Sequence, residues 1–177
     1  GKTATRTYFP VEEDRSPHSL PVVALTFPPG DWFDSESGLY LPGNRYDPAD
    51  WAHAYWGSGN YFLRGRSSER VVEVERFTGL SFQGGASIGM RIQGGGSRAQ
   101  PMKSLRLVAR DSLGPLDWDE GGGPSFRSIQ LRNAGQDSVW RPSLIRDWVI
   151  QRCAPDSAGV NQQQPVVVYF NGEYWGV

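Results

Sequence analysis

Cysteine and histidine are almost missing from this chain: its 177 residues include one cysteine, Cys153, and two histidines, His18 and His53. A single thiol excludes an internal disulfide framework and leaves the redox compartment open. Neither histidine stands at ligand spacing with the other or with Cys153, so a zinc site is not expected. No G-x-S-x-G elbow occurs, and Cys153 falls on the apolar side of a helical pattern, where a thiol reads as buried and inert rather than nucleophilic. No run approaches the roughly 20 apolar residues of a membrane span, and the first residues lack the apolar core of a signal peptide. The formal net charge of -1 gives no reason to expect nucleic acid as a partner.

That near-neutral total conceals a strong local imbalance. Residues 1 to 63 carry 4 basic and 8 acidic side chains, residues 64 to 110 carry 9 and 3, and residues 111 to 177 carry 5 and 8. The basic middle suits an anion, although a solvated arginine-bearing strand face accounts for it equally well. Within it lies the stretch around which the chain is organised, ASIGMRIQGGGSRAQPMKSLRLVAR, residues 86 to 110. Ile88, Met90 and Ile92 alternate with Gly89 and Arg91, the period of a half-buried strand. Gly94, Gly95 and Gly96 then free the backbone for left-handed or close-approach conformations, and Ser97 and Arg98 add a hydroxyl and a cation. The next run puts Lys103, Leu105, Leu107 and Ala109 on one face and Ser104, Arg106, Val108 and Arg110 on the other. Lys103 therefore points where the core leucines point, which calls for an anionic partner, either a protein carboxylate or a bound phosphate. GGGSRAQPMK is not a Walker A loop, because its lysine begins a strand and not a helix. A glycine-rich turn between antiparallel strands, with a lysine on the second, follows instead the logic of a protein-kinase small lobe.

The remaining elements are expected to be mostly β. Strands are predicted over 22 to 27, 70 to 77 and 128 to 135; in the second, Val72 and Val74 face the core and Glu73 and Glu75 face away. Asn171-Gly172 between two β-rich runs predicts a hairpin. One amphipathic helix is expected over about 141 to 153, from the spacing of Leu144, Ile145, Trp148, Val149 and Cys153. Residues 1 to 19 read as a polar leading arm, and residues 42 to 60, with Trp51, Tyr55 and Trp56, as a loop pinned by aromatic rings. Asp117, Asp119 and Gly121 open like a calcium loop, but Ser128 stands where the bidentate glutamate is required, so an EF-hand is rejected. The fold class is thus α+β, a mainly antiparallel sheet with one principal helix.

Six motifs in order resemble the CotH (spore coat protein H) kinase family: LPVVALTFPPGDWFDSESGLYLPG, VEVERF, GMRIQGGGSRAQPMKSLRLVAR, SIQLRNAGQD, the helix with Arg146-Asp147, and PVVVYFNGEYWG. The resemblance spans residues 20 to 177. Two departures are Gln93, where histidine or another polar residue is commoner, and Met102, where a polar residue usually precedes the lysine. The resemblance implies an atypical protein-kinase-like fold, of which residues 20–177 are the nucleotide-side, N-terminal part of the domain. It implies transfer of the ATP γ-phosphate to serine-rich protein substrates with a divalent metal such as Mg2+, in a secreted or cell-surface setting. On that reading Lys103 contacts the phosphates and Gly94, Gly95, Gly96, Ser97 and Arg98 cover the nucleotide. Glu75 and Asp147 are the alternative carboxylate partners of Lys103, and Arg132, Asn133 and Asp137 match a strand-end motif or, equally, a turn closed by side-chain hydrogen bonds. The family's catalytic and metal-binding acids lie beyond the hairpin, so this segment is expected to hold no catalytic residue and no metal, and to bind neither ATP nor the metal tightly by itself.

Two other readings stay open: a β-rich surface binding or adhesion module, and a purely structural role for the glycines and Lys103. The segment alone is predicted to transfer no phosphate. An assay with ATP, magnesium and a serine-rich substrate checks this; steady transfer abolished by Lys103→Ala contradicts it.

Overall fold

The computed structural model describes residues 6–9, 16–49, 58–113, 126–133, 145–159 and 163–176. Its strands are β1 (Val22–Thr26), β2 (Arg70–Thr78), β3 (Ser81–Ile92), β4 (Leu105–Val108), β5 (Ser128–Leu131), β6 (Val167–Phe170) and β7 (Glu173–Gly176). They form one sheet in the order β5-β4-β3-β2-β1-β6-β7. Every neighbouring pair is antiparallel except β1 and β6, which run parallel from Val22↔Val167 to Leu25↔Phe170. The mainly antiparallel sheet expected from the alternating patterns is the observed one, and it outweighs the helical part of the expected α+β class: the described residues are mostly β with few helices.

Alternation explains which face is covered. Val72 lies opposite Ile88, Met90 opposite Leu107 and Ile92 opposite Leu105, and Ile129 and Leu131 continue the same rows on β5. These side chains, with Leu25, Val74, Phe27, Trp32 and Leu39, make one apolar core. A short helix α1 (Pro29–Phe33) turns Trp32 onto it. Large aromatic surfaces dominate there, with Trp32, Phe27, Phe170 and Trp175 in mutual ring contact. The Asn171-Gly172 hairpin forms as the dipeptide predicts, with φ of 48° and 87°. Asn171 also accepts the Phe27 amide on its Oδ1 at 2.9 Å, anchoring the hairpin to the end of β1.

The opposite face of β1, β2 and β6 is covered by the leading arm. Phe9 packs edge-on against Phe77 and Tyr169, each at 5.2 Å, and His18 Nε2 lies 2.7 Å from the Tyr169 hydroxyl. The arm, read from the sequence as a polar leading segment and not as a packed element, is held by specific contacts of residues 6–9 and 16–18.

The helix corrects another expectation. Its described part is α2 (Arg146–Cys153), with no buried residue; residues 141–144 lie outside the described residues. Val149 and Ile150 are exposed, and so is Cys153, expected to be a buried thiol. Helical spacing gathers an apolar stripe but does not supply the surface that covers it. The calcium-like loop and Trp51, Tyr55 and Trp56 also lie outside the described residues. No helix among the described residues is long and apolar enough to cross a membrane.

Leu107, on β4, has no exposed surface, and changing it to alanine is expected to cost about 2–5 kcal/mol of stability. Chemical denaturation of Leu107→Ala checks this; an unchanged midpoint would place the core elsewhere.

Candidate functional site: buried cations at a glycine bend

β3 leaves the sheet at Ile92, and the chain returns at Ser104, whose carbonyl accepts the Gln93 amide at 2.8 Å. Between them residues 94–103 form a bend closed at its base. Gly94 alone of its three glycines takes a left-handed φ, 124°, and a Cβ there would collide with Ser97 Oγ. Gly95, with φ of -101°, has open space where a Cβ would stand. The backbone then makes a 3-10 turn, Gly96–Ala99. The need for glycine is therefore concentrated at Gly94, not spread over three positions.

Lys103 points to the core side, as the alternation predicts, and is 3% exposed. Its ammonium donates to the carbonyls of Arg98 at 2.6 Å and Gln100 at 3.0 Å. It also lies 4.5 Å from the centroid of the Tyr61 ring and 5.0 Å from that of Tyr40, a cation–π setting on two sides. Burial lowers its pKa from 10.5 to about 8. Arg98 is the second buried cation, 6% exposed. It donates from Nε to the Gly94 carbonyl at 2.7 Å and from Nη1 to the carbonyls of Tyr61 and Leu63 at 3.2 and 3.0 Å. Burial first, then the nearby guanidiniums of Arg64 and Arg91, lower its pKa to about 10.

No carboxylate stands against either cation among the described residues. Both expected partners of Lys103 are engaged elsewhere. Glu75, buried on the opposite face of the sheet as β alternation requires, accepts the Thr7 amide at 2.6 Å and Arg6 Nη1 at 3.2 Å. Asp147 pairs with Arg132 at 2.8 Å, with both side chains largely exposed. The bend solves the buried-charge problem with backbone carbonyls and π faces, acceptors that carry no net charge and leave the site positive.

Two residues that matter here, Tyr40 and Tyr61, were not singled out from the sequence, and a third, Asn133, was read only as part of the strand-end motif. Tyr40 and Tyr61 roof the ammonium; their only sequence signal was membership of aromatic-rich stretches. Asn133, 4% exposed, accepts from Ser104 Oγ at 2.6 Å and donates its amide to the Met102 carbonyl. It thereby pins both neighbours of Lys103 to the end of β5, the hydrogen-bonded-turn reading of the strand-end motif. Asp137 of that motif lies outside the described residues.

The family model described as CotH kinase protein matches residues 90–177. Over that stretch the chain is similar to the CotH kinase family. The match begins at Met90, so it takes in the end of β3, the whole bend, Lys103, β4 to β7 and α2. The resemblance read from the sequence reached back to residue 20; the leading segment and VEVERF, residues 20–89, lie outside the matched part. No curated protein and no solved structure matches the chain.

Because the folded pKa of Lys103 is depressed, folding takes up a penalty while the ammonium is charged, below about pH 8. As pH rises through about 8 toward 10.5 the folded state loses this proton before the unfolded chain does, so the Lys103 contribution to stability increases. Denaturation of the wild type relative to Lys103→Met is expected to show that gain across the window; a flat difference would mean that the ammonium is solvated.

Proposed function

We propose that this segment forms the nucleotide-phosphate side of a CotH-type protein kinase that transfers the ATP γ-phosphate to serine-rich protein substrates. The observation that carries the reading is the glycine bend of the CotH segment, built around two buried cations that no carboxylate among the described residues neutralises. In phosphoryl transfer the enzyme contributes mainly positioning and positive charge around the phosphate oxygens. A bend whose internal acceptors are all neutral keeps its positive field for a ligand.

The residues fit the parts of the group unequally. The amides of Gly95, Gly96 and Ser97 donate to no protein acceptor among the described residues, and with Lys103 and Arg98 beneath them they suit a polyphosphate. Among the described residues no group of three or more acidic, histidine or cysteine side chains is gathered, so they offer a divalent metal no ligand set. No step of the reaction is assigned to metal ligands in this segment. Tyr40 and Tyr61 turn their ring faces to Lys103, so those faces are not free to stack on a sugar, and the adhesion reading draws nothing from them.

Calorimetric titration separates phosphate from base recognition. ATP is expected to bind and adenosine to bind at least about tenfold more weakly, a difference of about 1.4 kcal/mol or more. Equal binding of the two, or none of ATP, would overturn the reading.

A further inference from the structure

Where β2 begins and β3 ends, the fold gathers guanidinium groups along one rim. The Arg70↔Met90 register brings the turn Arg66–Ser68 beside the last residues of β3. The bond from Arg98 to the Leu63 carbonyl at 3.0 Å draws the bend onto the chain just before Arg64. Arg64 and Arg66 are exposed and Arg91 is half-buried, on the strand face opposite Met90 and Ile92.

The carboxylate of Glu69 stands among them, and it is already taken. Arg110 holds it through two bonds, Nε at 2.7 Å and Nη2 at 2.5 Å. The Glu69 side chain reaches Arg110 across Gly89, where a Cβ would collide with it. Arg98 is occupied by three carbonyls. Arg64, Arg66 and Arg91 have no hydrogen-bond or ion-pair partner among the described residues. They nevertheless act on their surroundings. The Glu69 carboxyl is held low by Arg110 first, and also by Arg91 and Arg66, while Arg64 and Arg91 weaken the proton affinity of Arg98.

Like charges gathered in excess of their one counter-ion repel one another, and a multiply charged anion relieves that repulsion. A guanidinium presents a planar fork that matches two phosphate oxygens, and three forks on one rim suit a chain of phosphates better than a lone carboxylate. We propose that Arg64, Arg66 and Arg91 grip the phosphate chain of the nucleotide, and that Lys103 holds the bend from beneath instead of meeting the phosphates. This rests on the nucleotide-side reading and replaces the expectation that Lys103 is the phosphate contact. Lys103 has its donors turned to carbonyls and its sides covered by two rings, whereas the rim arginines have open donors.

The test is titration of inorganic triphosphate and of ATP into the wild type, the triple variant Arg64→Gln/Arg66→Gln/Arg91→Gln, and Lys103→Met, with thermal melts to establish folding. The triple variant is expected to lose about tenfold or more in affinity for both ligands, the scale of losing charge-assisted hydrogen bonds. Lys103→Met is expected to lose less, and an Arg152→Gln control, on α2, to follow the wild type. Wild-type affinity in the folded triple variant overturns the assignment while leaving the nucleotide reading standing. A larger loss in folded Lys103→Met than in the triple variant also overturns it. Arginine-dependent binding of triphosphate without binding of ATP keeps the rim as a phosphate site and removes the nucleotide reading. Binding of neither ligand by the wild type removes both. Competition by polyglutamate as effective as that by triphosphate would refute phosphate as the ligand class and point to an acidic polypeptide.

Discussion

An ammonium taken out of water needs acceptors for its protons, and here the chain supplies them from its own backbone. Much of the site follows from that requirement. For the carbonyls of Arg98 and Gln100 to converge on Lys103, the residues before them must coil into a 3-10 turn, and Gly94 must enter that turn with a left-handed φ. The Arg98 side chain, carried to the other side of the turn, reaches the carbonyls of Tyr61 and Leu63. That places the Tyr61 ring over Lys103. The 59–63 segment is fixed in turn by Asn60, fully buried and donating to the Ser35 carbonyl at 3.0 Å. A single desolvated charge thus ties together three stretches that are distant in sequence.

The two faces of the sheet handle buried charge in opposite ways. On the core face the cations meet carbonyls and rings, with no carboxylate against them among the described residues. On the other face the carboxylate of Glu75 is matched by a backbone amide and a guanidinium of the leading arm. One solution leaves a field that reaches outward, and the other consumes the charge locally to hold a segment in place. Only the first is suited to attracting a ligand.

Period-two alternation was enough to place the strands, the core face of β2 to β5 and the inward direction of Lys103, because β geometry forces alternate side chains to opposite faces; it missed two ends, since β4 begins at Leu105 and not at Lys103, and the strand expected over 128–135 stops at Leu131. Asn171-Gly172 was equally legible, since few dipeptides accept two positive φ angles. The partners of Lys103 were not. Glu75 and Asp147 were reasonable candidates by charge, but backbone carbonyls carry no residue signature, and any stretch of chain can offer them. Arg6 meets Glu75 and Asn133 meets Ser104 across separations that no local pattern encodes. The helical stripe around Val149 failed for a related reason: spacing defines a face, and tertiary structure decides whether anything covers it. The arginine imbalance of residues 64 to 110 was visible as composition, but its gathering on one rim required the β2–β3 register.

The parallel pairing of β1 with β6 bears on how this sheet assembles. Val22 and Val167 are partners, so that pairing closes a loop of roughly 145 residues, whereas the hairpins β2–β3 and β6–β7 close over a few. Hairpins form in microseconds, and contacts so remote in sequence form late. The site, carried on β3 and β4, belongs to the quickly formed part; the edge of β1 waits for its partner. Until β6 arrives, β1 presents an unpaired apolar edge, which makes the order of assembly a matter of solubility as well as of shape.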